Sequence, residues 1–178
     1  MATLFRSMND VATSREIYQF RIVVRDTSPH LWRRIQVCHS LTLGDFHHIL
    51  QVAFGWSGSR PARFLIRGKA HGINSPDGQD DIDPLRLADF HFLPKERFFY
   101  EYDVDSHGRP RWRHQVRFER ALGVEPRRFY PVCLGGVGAA PPENCKCWMC
   151  ASPANEALES NPLNSRGGAA SDCCARLP

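Results

Sequence analysis

Lysine is nearly missing from this sequence. Of 23 basic residues only Lys69, Lys95 and Lys146 are lysines, and the rest are arginines. Arginine presents a planar fork suited to phosphate and carboxylate, so the bias points mildly toward nucleic acid. The formal net charge of +4 is too small to drive strong non-specific attraction by itself. Long apolar runs are also lacking. None approaches the roughly 20 residues that a membrane-spanning helix requires, which excludes a helical membrane protein. Met1 to Arg15 contain no continuous apolar core and no small-residue cleavage site, so no secretory signal is expected and the chain is expected to be cytoplasmic. What remains is ordinary for a folded chain: 178 residues, 42% hydrophobic and 24% charged. That composition excludes global disorder and suits one domain with a tail. Cysteine is unevenly placed, with six of seven after residue 130. Without an export signal these read as reduced thiols or metal ligands rather than a disulfide framework.

Periodicity divides the chain. Residues 1–15 are polar and unpatterned and read as a flexible N-terminus. From Ile17 to Arg25 the residues alternate, with Tyr18, Phe20, Ile22 and Val24 on one face and Gln19, Arg21 and Arg25 on the other. After a turn at Asp26 to Pro29, Leu31 to Val37 returns as a second strand. Thr42 opens a helix, with Asp45 three residues on as a capping-box partner. Leu43, Phe46, Leu50, Ala53 and Phe54 make its apolar stripe, and Gly55 stops it. Ala62 to Gly68 reads as a strand, Gly68 to Gly72 as a turn, 74–83 as an acidic loop and Pro84 to Ala88 as a helical turn. Arg97 to Val104 is an aromatic strand, and Arg111 to Arg120 is its antiparallel partner, with Trp112, His114, Val116 and Phe118 inward. Gly135 to Gly138 reads as turn. The expected fold is α+β: a curved, mainly antiparallel sheet packed against one main helix, with a disordered C-terminal tail. The expected core is Trp32, Phe46, Leu50, Phe54, Trp56, Phe64, Phe98, Tyr100, Tyr102, Trp112 and Phe118.

These elements carry recognisable blocks: Ile17-Tyr18-Gln19-Phe20, Leu31-Trp32-Arg33-Arg34-Ile35-Gln36-Val37, Leu41 to Gln51, Phe54-Gly55-Trp56, Phe99-Tyr100-Glu101-Tyr102-Asp103, Tyr130-Pro131 and Pro141-Pro142-Glu143-Asn144-Cys145. The pattern resembles the plasmid pRiA ORF-3-like family, whose members also appear as passengers of insertion elements and under a TnpR-like label. The resemblance spans Ile17 to Cys145 and implies a compact α+β domain at 16–145, with a setting near transposases and no established activity. Relatives usually carry a His-x-His pair after Gly-Trp, where this chain has Ser59-Arg60-Pro61-Ala62-Arg63. They carry a shorter turn than Val104 to Arg111, a cysteine where this chain has Ala140, and a helix-forming segment where this chain has its Cys-rich tail, 146–178. The joint loss of periodicity and family pattern after Cys145 suggests a shifted reading frame there.

Four constellations are candidates for chemistry. Cys145, Cys147 and Cys150, with Cys133 as a fourth ligand, could hold a structural zinc; the competing reading is free thiols. Glu101 and Asp103, two apart on a strand and so on one face, could hold a divalent cation with Asp45 or Asp105, as a nuclease would; pairing with Arg113 and Arg117 across the hairpin is favoured. His47-His48 cannot easily share one metal, because adjacent helical residues diverge by about 100°. Arg111, Arg113 and Arg117 lie outward on one strand and could grip phosphates, helped by Arg109 and Arg120. The expected function is a non-catalytic binding or interaction module of a plasmid or insertion element, contacting nucleic acid or a transposition-related protein. The alternative is a metal-dependent enzyme acting on nucleic acid.

Overall fold

The computed structural model describes residues 16–28, 30–73 and 84–143. Its elements run β1 (Glu16–Val24), β2 (Trp32–Cys38), α1 (Leu43–Phe54), β3 (Ala62–Ile66), β4 (Lys69–Ile73), a 3-10 turn (Leu87–Phe90), β5 (Arg97–Val104), β6 (Pro110–Gly123) and β7 (Val132–Val137). The strands form one seven-stranded sheet in the order β4-β3-β5-β6-β1-β2-β7, antiparallel throughout. The expected α+β class holds, and α1 covers one face of a curved sheet.

Alternation along each strand sets the two faces. Phe20, Ile22, Ile35, Phe64, Phe98, Tyr100, Val116 and Phe118 point inward and are buried. They meet Leu43, Phe46, Leu50 and Phe54 of α1. Rings mesh across the layer: Phe20 with Phe46 at 5.1 Å, Phe46 with Phe64 at 5.9 Å, and Phe64 with Tyr100 at 4.8 Å. Burial of each such side chain contributes roughly 1.5–3 kcal/mol. The helix is bounded as the sequence indicates. Asp45 N–H donates to Thr42 Oγ1 at 3.0 Å, Thr42 N–H donates back to Asp45 Oδ2 at 3.0 Å, and Gly55 closes the helix at φ 70°.

Four expectations are corrected. Trp32 is half-buried rather than core, because period-two alternation that sends Leu31, Ile35 and Val37 inward sends Trp32 outward, opposite Val23. The segment 68–72 is mostly strand: only Arg67 and Gly68, both at positive φ, make the turn, a requirement of type I′ hairpins, and Lys69–Ile73 pairs back as β4. The glycines at 135–138 belong largely to β7. A Cβ on Gly136 would lie 2.6 Å from the Trp32 carbonyl oxygen and 2.7 Å from Arg33 Cδ, so glycine lets β7 approach β2. The helical turn expected at Pro84 to Ala88 falls slightly later, at Leu87–Phe90. Residues 1–15 and the tail from 144 onward, with the acidic loop at 74–83, lie outside the described residues.

Candidate nucleic-acid interface

The sheet face opposite α1 carries the charged strand residues, and its first feature is a neutralised ion network. Glu101, only 3% exposed, receives Arg63 Nε at 2.6 Å on one oxygen and Arg113 Nε at 3.2 Å on the other. Arg113 also lies over the Phe99 ring, 4.1 Å from its centre. Arg111 pairs with Asp103 at 2.9 Å. Two of the three arginines expected to grip phosphate, Arg111 and Arg113, are thus tied to acids. Glu101 and Asp103, proposed above as cation ligands, are held by guanidinium groups. The cross-strand pairing is present, with Arg111 and Arg63 as partners alongside Arg113, and without Arg117.

Arg117, the third, stands in different company. Cross-strand register places it opposite Arg97 of β5 and opposite Arg21 of β1, and Arg21 in turn lies opposite Arg34 of β2. Four arginines therefore cross four adjacent strands in one line, Arg97–Arg117–Arg21–Arg34. At about 4.8 Å per strand the line spans roughly 14 Å. Like charges placed directly opposite repel. Arg34 is relieved by Glu119, at 2.8 and 3.0 Å. Among the described residues Arg97, Arg117 and Arg21 form no ion pair, and the Nε atoms of Arg21 and Arg117 are buried without a hydrogen bond. Burial alone would raise the Glu119 carboxyl. Hydrogen bonds from Arg34 and Gln19, with the charges of Arg34 and Arg117, outweigh it and hold that carboxyl below its ordinary value.

The next outward row, one pleat away, is uncharged: Phe99, Gln115, Val23 and Trp32 in register. All four are half-buried. Arg21 and Arg34 both reach over the Trp32 ring, at 4.8 and 5.7 Å from its centre. This cationic line beside an aromatic-ended line was not assembled from the sequence. Alternation had put Arg21 on the polar face, but its neighbours depend on the register of four strands.

On the inner face a buried polar cluster was also missed. His47 and Gln51, one helical turn apart, both reach Tyr100. Gln51 Nε2 donates to the Tyr100 hydroxyl at 2.5 Å, and His47 Nδ1 lies 2.7 Å from it. The hydroxyl has one proton, so it donates to Nδ1 and leaves Nε2–H of His47 toward the Gly58 backbone. Burial pushes His47 down to about 4, helped by the neighbouring His48 charge and opposed by the Gly58 bond. His114, fully buried among Phe54, Trp56 and Tyr100, is likewise pushed down to about 4 by burial, against a weak opposing bond to the Tyr100 carbonyl. His48 is exposed, so the adjacent pair divides between core and solvent. Beside this cluster the Pro-Pro-Glu block acts as a strap. Trp56 Nε1 donates to the Pro141 carbonyl at 2.9 Å. The Tyr102 hydroxyl and the Ser57 hydroxyl both donate to Glu143.

No group of three His, Cys, Asp or Glu is gathered to hold a metal among the described residues. Cys133 is an exposed thiol on β7, with its Sγ 3.6 Å from the Gly135 carbonyl oxygen. Cys145, Cys147 and Cys150 lie outside the described residues. An open depression of about 340 Å³ adjoins Cys133, but its one charged lining group, Arg33, already donates to the carbonyls of Val137 and Gly138. No helix among the described residues is long and apolar enough to cross a membrane.

The profile of the plasmid pRiA4b ORF-3-like protein family matches residues 16–164, most of the chain. The chain belongs to the plasmid pRiA4b ORF-3-like family. The match continues past Cys145, where the sequence pattern had suggested the domain ends. The chain is 27% identical over 155 residues to the uncharacterized protein y4hQ of Sinorhizobium fredii, covering 79% of this chain and 76% of that one. Its fold is similar to the crystal structure of a protein of unknown function, MM3350, from Methanosarcina mazei Go1. The TM-score is 0.67 at 25% identity, covering 93% of this chain and 92% of that one.

Proposed function

We propose that this pRiA4b ORF-3-like protein is a non-catalytic module that binds nucleic acid through the sheet face opposite α1. The Arg97–Arg117–Arg21–Arg34 line carries the reading. A fold gains nothing from aligning like charges, whereas a polyanion laid across them would screen Arg97, Arg117 and Arg21, the three that no acid pairs among the described residues, while Glu119 already relieves Arg34. The same line supports Arg117 as a phosphate ligand and transfers the roles first given to Arg111 and Arg113 to Arg21 and Arg97. Glu101 and Asp103 are each held by arginine, an arrangement that supports a structural role over metal-dependent catalysis. The plasmid name of the family supports a setting on mobile DNA, with a transposition-related protein as a further partner.

A salt titration tests the reading. Log affinity for DNA should fall linearly with log salt, and Arg21→Gln or Arg117→Gln should each reduce that slope by about 1. Arg111→Gln should change it little. Binding that is absent, or indifferent to salt and to both variants, would refute the reading.

A further inference from the structure

We infer that the nucleic acid taken by this face is single-stranded, with phosphates on the Arg97–Arg117–Arg21–Arg34 row and bases on the Phe99–Gln115–Val23–Trp32 row. The inference rests on the function proposed above and narrows it. The two rows are parallel, because the same four strands contribute to both in the same order. They are separated by two residues along each strand, roughly 7 Å. One row is wholly cationic and the other uncharged, with an aromatic ring at each end. A single strand has the same division, a charged backbone on one side and flat apolar faces on the other. A duplex does not: its base faces are stacked inside, and its grooves show only base edges, which an aromatic row cannot stack on.

Trp32 is the main anchor, at one end of its row. It is a large aromatic side chain left half-buried on a solvent-facing sheet, in a chain whose other two described tryptophans, Trp56 and Trp112, are buried. Arg21 and Arg34 reach over it, so its ring is fixed beside the cations that would hold the adjoining phosphates. Phe99 marks the other end, with Arg113 against its ring. Neither row reads base edges, since Gln115 is the one uncharged polar side chain between the rings. Recognition is therefore expected to tolerate sequence.

The test is fluorescence anisotropy with the full chain and three probes: a labelled oligodeoxythymidylate, a duplex of equal length, and vesicles containing phosphatidylserine. The single strand should bind at least tenfold more tightly than the duplex. Trp32→Ala should weaken single-strand binding about tenfold, the loss of one stacked base, and leave duplex binding unchanged, while Trp32→Phe retains most of the affinity. Thermal melting checks that each variant folds. Should Trp32→Ala unfold the chain, Phe99→Ala carries the same readout. Equal affinity for the two DNA forms, or single-strand binding indifferent to both aromatic variants, overturns this inference while leaving the broader reading intact. Binding to vesicles but to neither DNA overturns both.

Discussion

Tyr100 shows how one side chain joins the two layers. It comes from β5, its ring packs on Phe64, and its hydroxyl bonds two buried polar atoms of α1, His47 Nδ1 and Gln51 Nε2. Burial drives its own ionisation well above the usual tyrosine range, so it is a neutral donor and acceptor around neutral pH. Tyr100→Phe keeps the ring and removes the partner of His47 Nδ1 and Gln51 Nε2. We expect a loss of about 2 kcal/mol in urea unfolding, with the transition slope unchanged. Singly, these residues were readable only in part. Tyr100 was expected in the core from its strand, while the sequence did not say which of His47 and His48 turns inward. Their meeting depends on how α1 lies across the sheet, which periodicity does not encode. Trp32 is the opposite case. Its size argued for burial, its position in the alternation argued for exposure, and position decided.

At the level of elements, legibility followed the range of the determining interactions. The helix was placed almost to the residue because its start, stripe and stop are all local: Thr42 with Asp45, the apolar spacing, and Gly55. The β5–β6 hairpin was equally plain, since both strands alternate strongly. β4 and β7 were missed because each is a short strand at a sheet edge, and glycine in them imitates a turn. Gly136 is a strand residue whose missing Cβ is required by a neighbour about a hundred positions earlier in the chain. Gly136→Ala should force β7 away from β2 and cost about 1–3 kcal/mol. Hydrogen exchange would show this as faster exchange in Val132–Val137, with β5 and β6 unaffected.

The whole molecule has an acid weakness set by its two buried histidines. His47 and His114 are both pushed down to about 4 in the fold, whereas an unfolded histidine titrates near 6.5. Above about pH 6.5 both states carry them neutral, and stability does not depend on their protons. As the pH falls from 6.5 toward 4 the unfolded chain binds protons that the fold refuses, so stability drops. The two together should remove on the order of 2 kcal/mol between pH 6 and pH 5. Below that window the carboxyls of Glu119 and Glu143, both held below their ordinary values, begin to take up protons and add to the loss. Urea midpoints measured across this range check the slope, and His114→Gln or His47→Gln should flatten it if the variant folds. The overall class, a mainly antiparallel sheet on one helix, was legible because alternation and one amphipathic stripe suffice for it. The candidate interface was not, because a line drawn across four strands has no signature along any one of them.

The arginine line has an evolutionary corollary. Its self-repulsion burdens the empty protein, so Arg117→Gln should raise the melting temperature while blunting attraction to polyanions. Selection for robustness alone would erode that row within a few substitutions. A laboratory campaign that ranked variants by heat tolerance would converge on sturdy molecules stripped of the row proposed above to meet nucleic acid.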